Sequence, residues 1–286
     1  MVSVAELGTE KKITWCPGCG NFAILTALKR TIAELDLEPE KVVVITGIGC
    51  HGKMGDYVRV NSFHTIHGRV LPIATGIKLA NPELVVMGFA GDGDAYAIGI
   101  GHLPHAIRRN IDVVYVVHNN RIFGLTTGQA TPTTPKGMRT RSTPYGVPER
   151  PLNPLIMALA LGATFVARGF AGDVNHLTHL FKEAVKHRGF AFIDVIQPCV
   201  TFYNTYQYYR ERVYRLEDEG HDPSDWEAAF QKAREEELTN DERVPIGIFY
   251  RAEEPTLLDE FPHLAGKPLV KMPLTVDISK FLPEFR

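Results

Sequence analysis

The stretch from Leu84 to Gln129 constrains this chain more than any other. It reads LVVMGFAGDGDAYAIGIGHLPHAIRRNIDVVYVVHNNRIFGLTTGQ. An apolar run over Leu84 to Ala90 ends in Gly91-Asp92-Gly93-Asp94, and a helix-like segment follows. A second apolar run over Ile111 to Val117 then ends in His118-Asn119-Asn120. The pattern predicts a strand–helix–strand unit with glycines and an acid at one strand tip and an amide at the next. In an open parallel sheet, ligands sit beyond the carboxyl ends of the strands, so this unit predicts a binding edge.

The rest of the chain continues the alternation. Phe22 to Leu35 has the spacing of an amphipathic helix and Lys41 to Thr46 that of a buried strand. Gly47 to Gly55 is a glycine-dense loop, and Leu71 to Ala80 is a small-residue helix stopped at Asn81-Pro82. Beyond the central unit, Thr126 to about Pro154 reads as a long Thr/Pro/Lys-rich loop, a length that in a compact domain marks function or a partner contact. Helix (Pro154 to Leu161), strand (Thr164 to Ala167), helix (Val174 to His187) and strand (Phe190 to Ile196) follow. The expected fold class is α/β, a mostly parallel sheet with helices on both faces. After Cys199 the character changes: Thr201 to Leu238 reads as exposed helices, Val244 to Tyr250 as a short strand, and the tail is proline-punctuated. The expected division is a domain over 1–200 and an extension over 201–286 that packs on the core or on a partner.

The net charge of −2 removes the global field that would point to nucleic acid or an anionic membrane. No apolar run reaches the ~18–20 residues needed to span a bilayer, and the first twelve residues lack the apolar core of a signal peptide. A cytoplasmic location is the expectation.

At the central edge, Gly91 and Gly93 allow backbone to approach an anion, and a following helix turns N–H groups toward phosphate oxygens. Asp92 would repel a phosphate unless a cation lies between them. Magnesium suits that role because it is held by few protein oxygens plus phosphates. Asn119 or Asn120 supplies a further oxygen. GDG, twenty-five residues (94–118) and then NN, each at a strand end, point together to a Mg–diphosphate site, though each turn alone is commonplace. No P-loop lysine motif and no G-x-G-x-x-G after a strand are present, which sets nucleoside triphosphates and NAD behind.

The chain has four cysteines: Cys16 and Cys19 on one turn, and Cys50 and Cys199 each after a strand. In a reducing compartment such a set points to zinc or an iron–sulfur cluster ahead of free buried thiols, because every cysteine of the chain falls in the pattern, and ligand type alone does not separate the two metals. Lys53, three residues after Cys50, is by itself an ordinary solvated lysine, and His67 an ordinary loop histidine. Arg69 is a second candidate cation, or a structural ion-pair partner.

The motifs WCPGCGN, GIGC-x-GK, HTIHGR, GDGDAYAIG, NNRIFGLTTGQ and QPC together resemble the β-subunit of 2-oxoacid:ferredoxin oxidoreductases, of the 2-oxoglutarate synthase type, over roughly residues 13 to 205. GDG…NN resembles the thiamine diphosphate motif. The resemblance implies that Asp92 and Asn120 ligate Mg²⁺ through side chains and Ile122 through its carbonyl. It implies cofactor contacts from Ile48, Gly49, Cys50, Gly91, Gly93, Asp94, Gly124, Leu125 and Thr126, with His67 beside the cofactor. It further implies a [4Fe–4S] cluster on Cys16, Cys19, Cys50 and Cys199, Lys53 beside the substrate carboxylate, and Leu125 lining the substrate pocket. One departure is Val200, where relatives often carry proline after the last cysteine.

The implied reaction is reversible oxidative decarboxylation of a 2-oxoacid, best matched by 2-oxoglutarate going to succinyl-CoA, with coenzyme A as co-substrate and ferredoxin as electron acceptor. This chain holds no second half to supply the glutamate that activates the thiamine ring. The resemblance puts that group on an α-subunit, which in some relatives is an α/γ fusion, in an αβ or α2β2 assembly. Alone, the chain is expected to be inactive. Two readings stay open beside this one: a non-redox thiamine decarboxylase or synthase with a structural Cys₄ zinc, and a Cys₄-metal electron carrier that binds no thiamine.

Overall fold

The computed structural model describes residues 2–261, 268–273, 275 and 277–285. Its centre is an eight-stranded sheet of order β2-β1-β3-β4-β8-β7-β10-β9. The strands are β1 (Val42–Thr46), β2 (Asn61–His64), β3 (Val85–Gly91), β4 (Val113–Asn119), β7 (Phe165–Phe170), β8 (Phe190–Ile196), β9 (Val213–Arg215) and β10 (Val244–Arg251). All neighbours run parallel except β10 against β7. A separate two-stranded antiparallel ribbon, β5 (Ile122–Phe123) with β6 (Gln129–Ala130), follows β4.

Alternation along the strands builds two apolar layers. Val43 and Ile45 of β1, Val113, Tyr115 and Val117 of β4 and Phe190 and Phe192 of β8 face one way. They pack on α2 (Val70–Ala80), α3 (Leu103–Arg108), α4 (Pro154–Ala160) and α7 (Trp226–Leu238). Val42, Val44, Phe89, Val114, Val116 and Ile193 face the other way, onto α1 (Asn21–Glu34) and α5 (Val174–Lys186). A sheet covered on both faces is why its central strands read as continuous apolar runs. Among the described residues no helix is long and apolar enough to cross a membrane.

Three expectations need correction. The helix expected straight after Gly93 is a π-type turn over Asp94–Ile98 followed by a 3-10 turn, and regular α-helix begins only at Leu103. The loop after Thr126 is not structureless: it supplies β6 and then buries Thr131, Thr133 and Thr134. The segment from Thr201 to Leu238 is not simply exposed helix. It contributes strand β9, the short helix α6 (Tyr206–Arg210) and the buried side chains Tyr209, Leu216, Ala229, Ala233 and Glu236.

Candidate functional site: two cavities sharing a wall

Because β1, β3, β4 and β8 are parallel neighbours, their carboxyl ends deliver four loops to one edge. Gly91 pairs with His118 and Asn119 with Ile196, so Asp92, Asn120 and Gln197 emerge at one level. The residues Ile48, Gly49, Cys50, His67, Gly91, Asp92, Gly93, Asp94, Asn120, Ile122, Gly124, Leu125 and Thr126 all line one cavity at that edge. Its wall also includes His51, His118, Phe123 and Gln197, which lie within or beside the motifs but carry no assigned role there.

Asp92 is 2% exposed. Its Oδ2 accepts from the Thr133 hydroxyl at 2.7 Å. Burial pushes its carboxyl up to about 6, against the Thr131 and Thr133 hydroxyls that favour the charged form. Asn120 turns its Oδ1 toward the Ile122 N–H at 3.0 Å, a local turn that brings Asn120 and Ile122 to the same side. Between them, Arg121 takes a left-handed backbone (φ +61°), which costs a non-glycine residue on the order of 1 kcal/mol. That conformation is held from both ends. The Arg121 carbonyl accepts from Thr134 Oγ1 at 2.6 Å, and its guanidinium pairs with Glu236 and lies over the Tyr209 ring.

Asp94 sits in the same wall, but its Oδ1 is engaged elsewhere. It accepts from the Gly68 N–H at 2.7 Å and pairs with His67 Nδ1, so this carboxylate fixes the His67 loop. Gly68 needs its φ of +73° for that contact, and a Cβ there would collide with Ile98. His51 Nε2 accepts from the Gly91 N–H at 3.1 Å, which binds the β1 loop to the tip of β3. Burial drives His118 well below the usual histidine range, and its Nδ1 meets Asn21 Oδ1 at 2.8 Å.

The four cysteines line a second cavity next to the first, with Cys50, Asn120, Gly124, Leu125 and Gln197 common to both walls. Cys19 N–H donates to the Cys16 carbonyl at 3.0 Å, closing the turn that presents both thiols. The Trp15 indole donates to the Cys50 carbonyl at 2.7 Å and ties that turn to the β1 loop. A Cβ on Gly124 would lie 3.6 Å from Cys50 Sγ and 3.7 Å from Cys199 Sγ, so glycine keeps this space clear for anything held by the sulfurs. Burial pushes the Cys19 thiol up to about 11 and raises Cys50, with the neighbouring thiols adding to both. A cationic group that binds thiolates would relieve that penalty. Among the described residues no group of three or more His, Cys, Asp or Glu is arranged to hold a single metal ion. Lys53 lines this second cavity, with Nζ 2.8 Å from Thr14 Oγ1. Arg69 occupies the position before α2 without capping it through its side chain, and donates to the adjacent Gly68 carbonyl at 3.3 Å.

Behind Asp92 a buried polar chain runs through the sheet. The Thr133 hydroxyl also meets Asn119 Oδ1 at 3.0 Å, and Asn119 Nδ2 donates to Asp194 at 3.1 Å. Tyr96 donates to Asp194 at 3.0 Å, Arg168 lies 3.5 Å from it, and Arg168 also pairs with Glu236 at 2.6 Å. Sequence reasoning missed this chain because its members come from β4, β7, β8, α7, the turn over Asp94–Ile98 and the threonine loop. Only the fold brings them together.

A mostly parallel sheet with GDG and NN at adjacent tips, both lining one cleft, defines a thiamine diphosphate-binding domain. Residues 37–195 match the family model described as the thiamine pyrophosphate enzyme C-terminal TPP-binding domain, and residues 199–266 match the model for the C-terminal part of the pyruvate ferredoxin oxidoreductase beta chain. The chain is 44% identical to a 2-oxoacid:ferredoxin oxidoreductase subunit beta of Saccharolobus solfataricus, over 95% of this chain and 96% of the relative. It is 46% identical to a 2-oxoglutarate synthase subunit KorB of Archaeoglobus fulgidus, over 65% of this chain and 70% of that one. A solved 2-oxoglutarate:ferredoxin oxidoreductase from Magnetococcus marinus, with 2-oxoglutarate, coenzyme A and succinyl-CoA bound, superposes with a TM-score of 0.91 at 38% identity, covering 100% of this chain and 96% of that one. The chain belongs to the β-subunits of the 2-oxoacid:ferredoxin oxidoreductases. It is thus one subunit of a multi-subunit oxidoreductase with a thiamine diphosphate domain.

Proposed function

We propose that this β-subunit holds thiamine diphosphate through a Mg²⁺ ion on Asp92, Asn120 and the Ile122 carbonyl, and carries a [4Fe–4S] cluster on Cys16, Cys19, Cys50 and Cys199. With its α-subunit it converts 2-oxoglutarate and coenzyme A to succinyl-CoA and CO₂ and passes the electrons to ferredoxin. One observation carries the reading: all thirteen residues expected at the cofactor line one cavity, and the four cysteines line the cavity sharing its wall. The residues fit both groups. Asp92 is a buried carboxylate whose hydrogen-bond partner is a neutral hydroxyl, and the four cysteines line one cavity in which Gly124 leaves room beside the Cys50 and Cys199 sulfurs.

When bound, the thiamine ring supplies the electron sink that decarboxylation of a 2-oxoacid needs. The chain's own residues orient and enclose it. Asp94 holds His67 through Nδ1, which leaves Nε2 as the ring atom free to meet the cofactor. Lys53 places a positive charge on the wall of the cysteine cavity, beside the first, where the substrate carboxylate would be drawn. Leu125, 47% exposed and on both walls, offers an apolar surface for the substrate chain. Residues 201–286 act as an extension of the cofactor domain, which the pairing of β10 with β7 and the ion pair of Glu236 with Arg121 support. The 2-oxoglutarate synthase relatives and the bound ligands of the Magnetococcus marinus enzyme support the substrate. The complex is αβ or α2β2, and the partner contributes the glutamate facing the aminopyrimidine.

Anaerobic co-purification with the α-subunit tests this. The expected result is a brown complex with about four iron and four sulfide per β-chain, bound thiamine diphosphate, and a higher kcat/KM for 2-oxoglutarate than for pyruvate or a branched-chain 2-oxoacid. A colourless zinc protein overturns the cluster. A brown protein without thiamine leaves only an electron carrier.

A further inference from the structure

Gln197 is 1% exposed, follows the last residue of β8, and lies in the wall that the two cavities share. Its amide orientation is fixed by its neighbours. Asn120 Oδ1 accepts the Ile122 N–H, so Asn120 Nδ2 must face outward, and it donates to Gln197 Oε1 at 3.3 Å. Gln197 Nε2 therefore points the other way, where it donates to the Pro198 carbonyl at 3.0 Å and to Cys19 Sγ at 3.5 Å. The backbone agrees with this placement: Gln197 N–H donates to the Asn119 carbonyl at 3.0 Å. Gly20, next to Cys19, makes room for it, since a Cβ there would fall 2.9 Å from Gln197 Cγ. One side chain thus spans from a residue assigned to the magnesium ion to a residue assigned to the cluster.

We propose that Gln197 is a positioning residue that couples the two cofactor sites: its carbonyl oxygen orients Asn120, and its N–H bond to Cys19 raises the reduction potential of the cluster. This rests on the reading that the four cysteines carry an iron–sulfur cluster. Hydrogen bonds to cluster sulfurs stabilise the more negative, reduced state, so removing one makes the cluster harder to reduce. Partners that orient a ligand of a metal ion typically change its affinity by 10- to 100-fold when lost.

Two near-isosteric variants separate the two arms. Gln197→Met removes both bonds. Gln197→Glu keeps an acceptor for Asn120 Nδ2 but loses the donor to Cys19 and adds a negative charge beside it. The measurements are an EPR-monitored redox titration of the anaerobic complex and calorimetric titration with Mg²⁺ and thiamine diphosphate, with iron content and thermal unfolding as controls. The methionine variant is expected to lower the reduction equilibrium of the cluster about tenfold, 59 mV for one electron, and to weaken cofactor binding about tenfold or more. The glutamate variant is expected to lower the potential further while cofactor binding is not weakened.

An unchanged potential in both variants overturns the proposal, as does a glutamate variant that binds the cofactor as poorly as the methionine variant. If one variant assembles no cluster, the other is read by the same criteria. If neither assembles one while both unfold like wild type, Gln197 serves assembly and the tuning role is refuted. Wild-type complex without iron refutes the cluster itself, a result distinct from all of these.

Discussion

Asp92 and Glu236 are both buried carboxylates, 2% and 6% exposed, at opposite ends of one polar chain, yet the fold treats them in opposite ways. Burial raises both. At Asp92 hydroxyls only partly offset it, and the group is pushed up to about 6. At Glu236 the guanidiniums of Arg168 and Arg121 more than reverse it, and the group is held at about 2. A carboxylate with built-in counter-charges is structural. One hydrogen-bonded only by neutral groups in the wall of the cleft is suited to a cation that arrives with the cofactor. The polar chain joins the two kinds, so the C-terminal helix α7 bears on the geometry of Asn120 and Ile122 through Arg121.

The largest effect expected from this contrast is on folding. Glu236→Ala leaves Arg121 and Arg168 buried without their partner and should destabilise the chain by about 3–5 kcal/mol. Urea unfolding of the cofactor-free chain checks it, and a loss below about 1 kcal/mol would dissolve the distinction. Asp92→Ala should behave in the reverse sense. Its unfolding free energy should change by less than about 1 kcal/mol, because an uncompensated buried carboxylate is removed. Mg²⁺-dependent thiamine diphosphate binding should weaken on the order of 100-fold or more, at or beyond the loss seen when a residue that only orients a metal ligand is removed. Tight cofactor binding by this variant in calorimetry would sink the magnesium assignment.

The pH dependence sharpens the same pair. Glu236 has its folded pKa held at about 2, below the ordinary 4.5. Its contribution is fully present above about 4.5 and is lost as pH falls toward about 2, because the unfolded chain binds the proton first. The span corresponds to about 3 kcal/mol. Relative to wild type, Glu236→Gln should flatten the fall in unfolding free energy across that window. Identical slopes for the two proteins would show that the arginines do not act on Glu236 as described.

The contrast also marks how far the sequence could be read. β3, β4 and their tips were legible because buried parallel strands are continuous apolar runs, and because GDG and NN at the ends of two such runs are informative together although each turn alone is commonplace. The turn at Cys16 and Cys19 was legible from its two-residue spacing and from the two further cysteines that follow strands. Glu236 was not, since a glutamate in a Glu/Arg-rich helical stretch looks solvated until β10 packs that helix against the sheet. Thr133 was hidden in a Thr/Pro-rich loop, and nothing local tells a buried threonine from an exposed one. Gln197 lay inside the QPC motif without a role, because its two partners lie 77 and 178 residues away.

The smallest expected effect falls at the junction between the two carboxylates. The Thr133 hydroxyl has one proton and two acceptors, Asp92 Oδ2 at 2.7 Å and Asn119 Oδ1 at 3.0 Å. The charged acceptor holds the shorter bond, so Thr133 serves chiefly to orient Asp92. Thr133→Val keeps the shape and removes the donor. It should weaken Mg²⁺-dependent cofactor binding by about tenfold, on the order of the 1.4 kcal/mol of one charged hydrogen bond, and leave the Glu236 ion pairs intact. Calorimetry on Thr133→Val, Glu236→Gln and the double variant decides whether the chain conducts. If the effects on cofactor affinity add within about 0.5 kcal/mol, the two ends are independent and α7 bears on folding alone. A larger interaction energy means that Asp92 and Glu236 are two ends of one device.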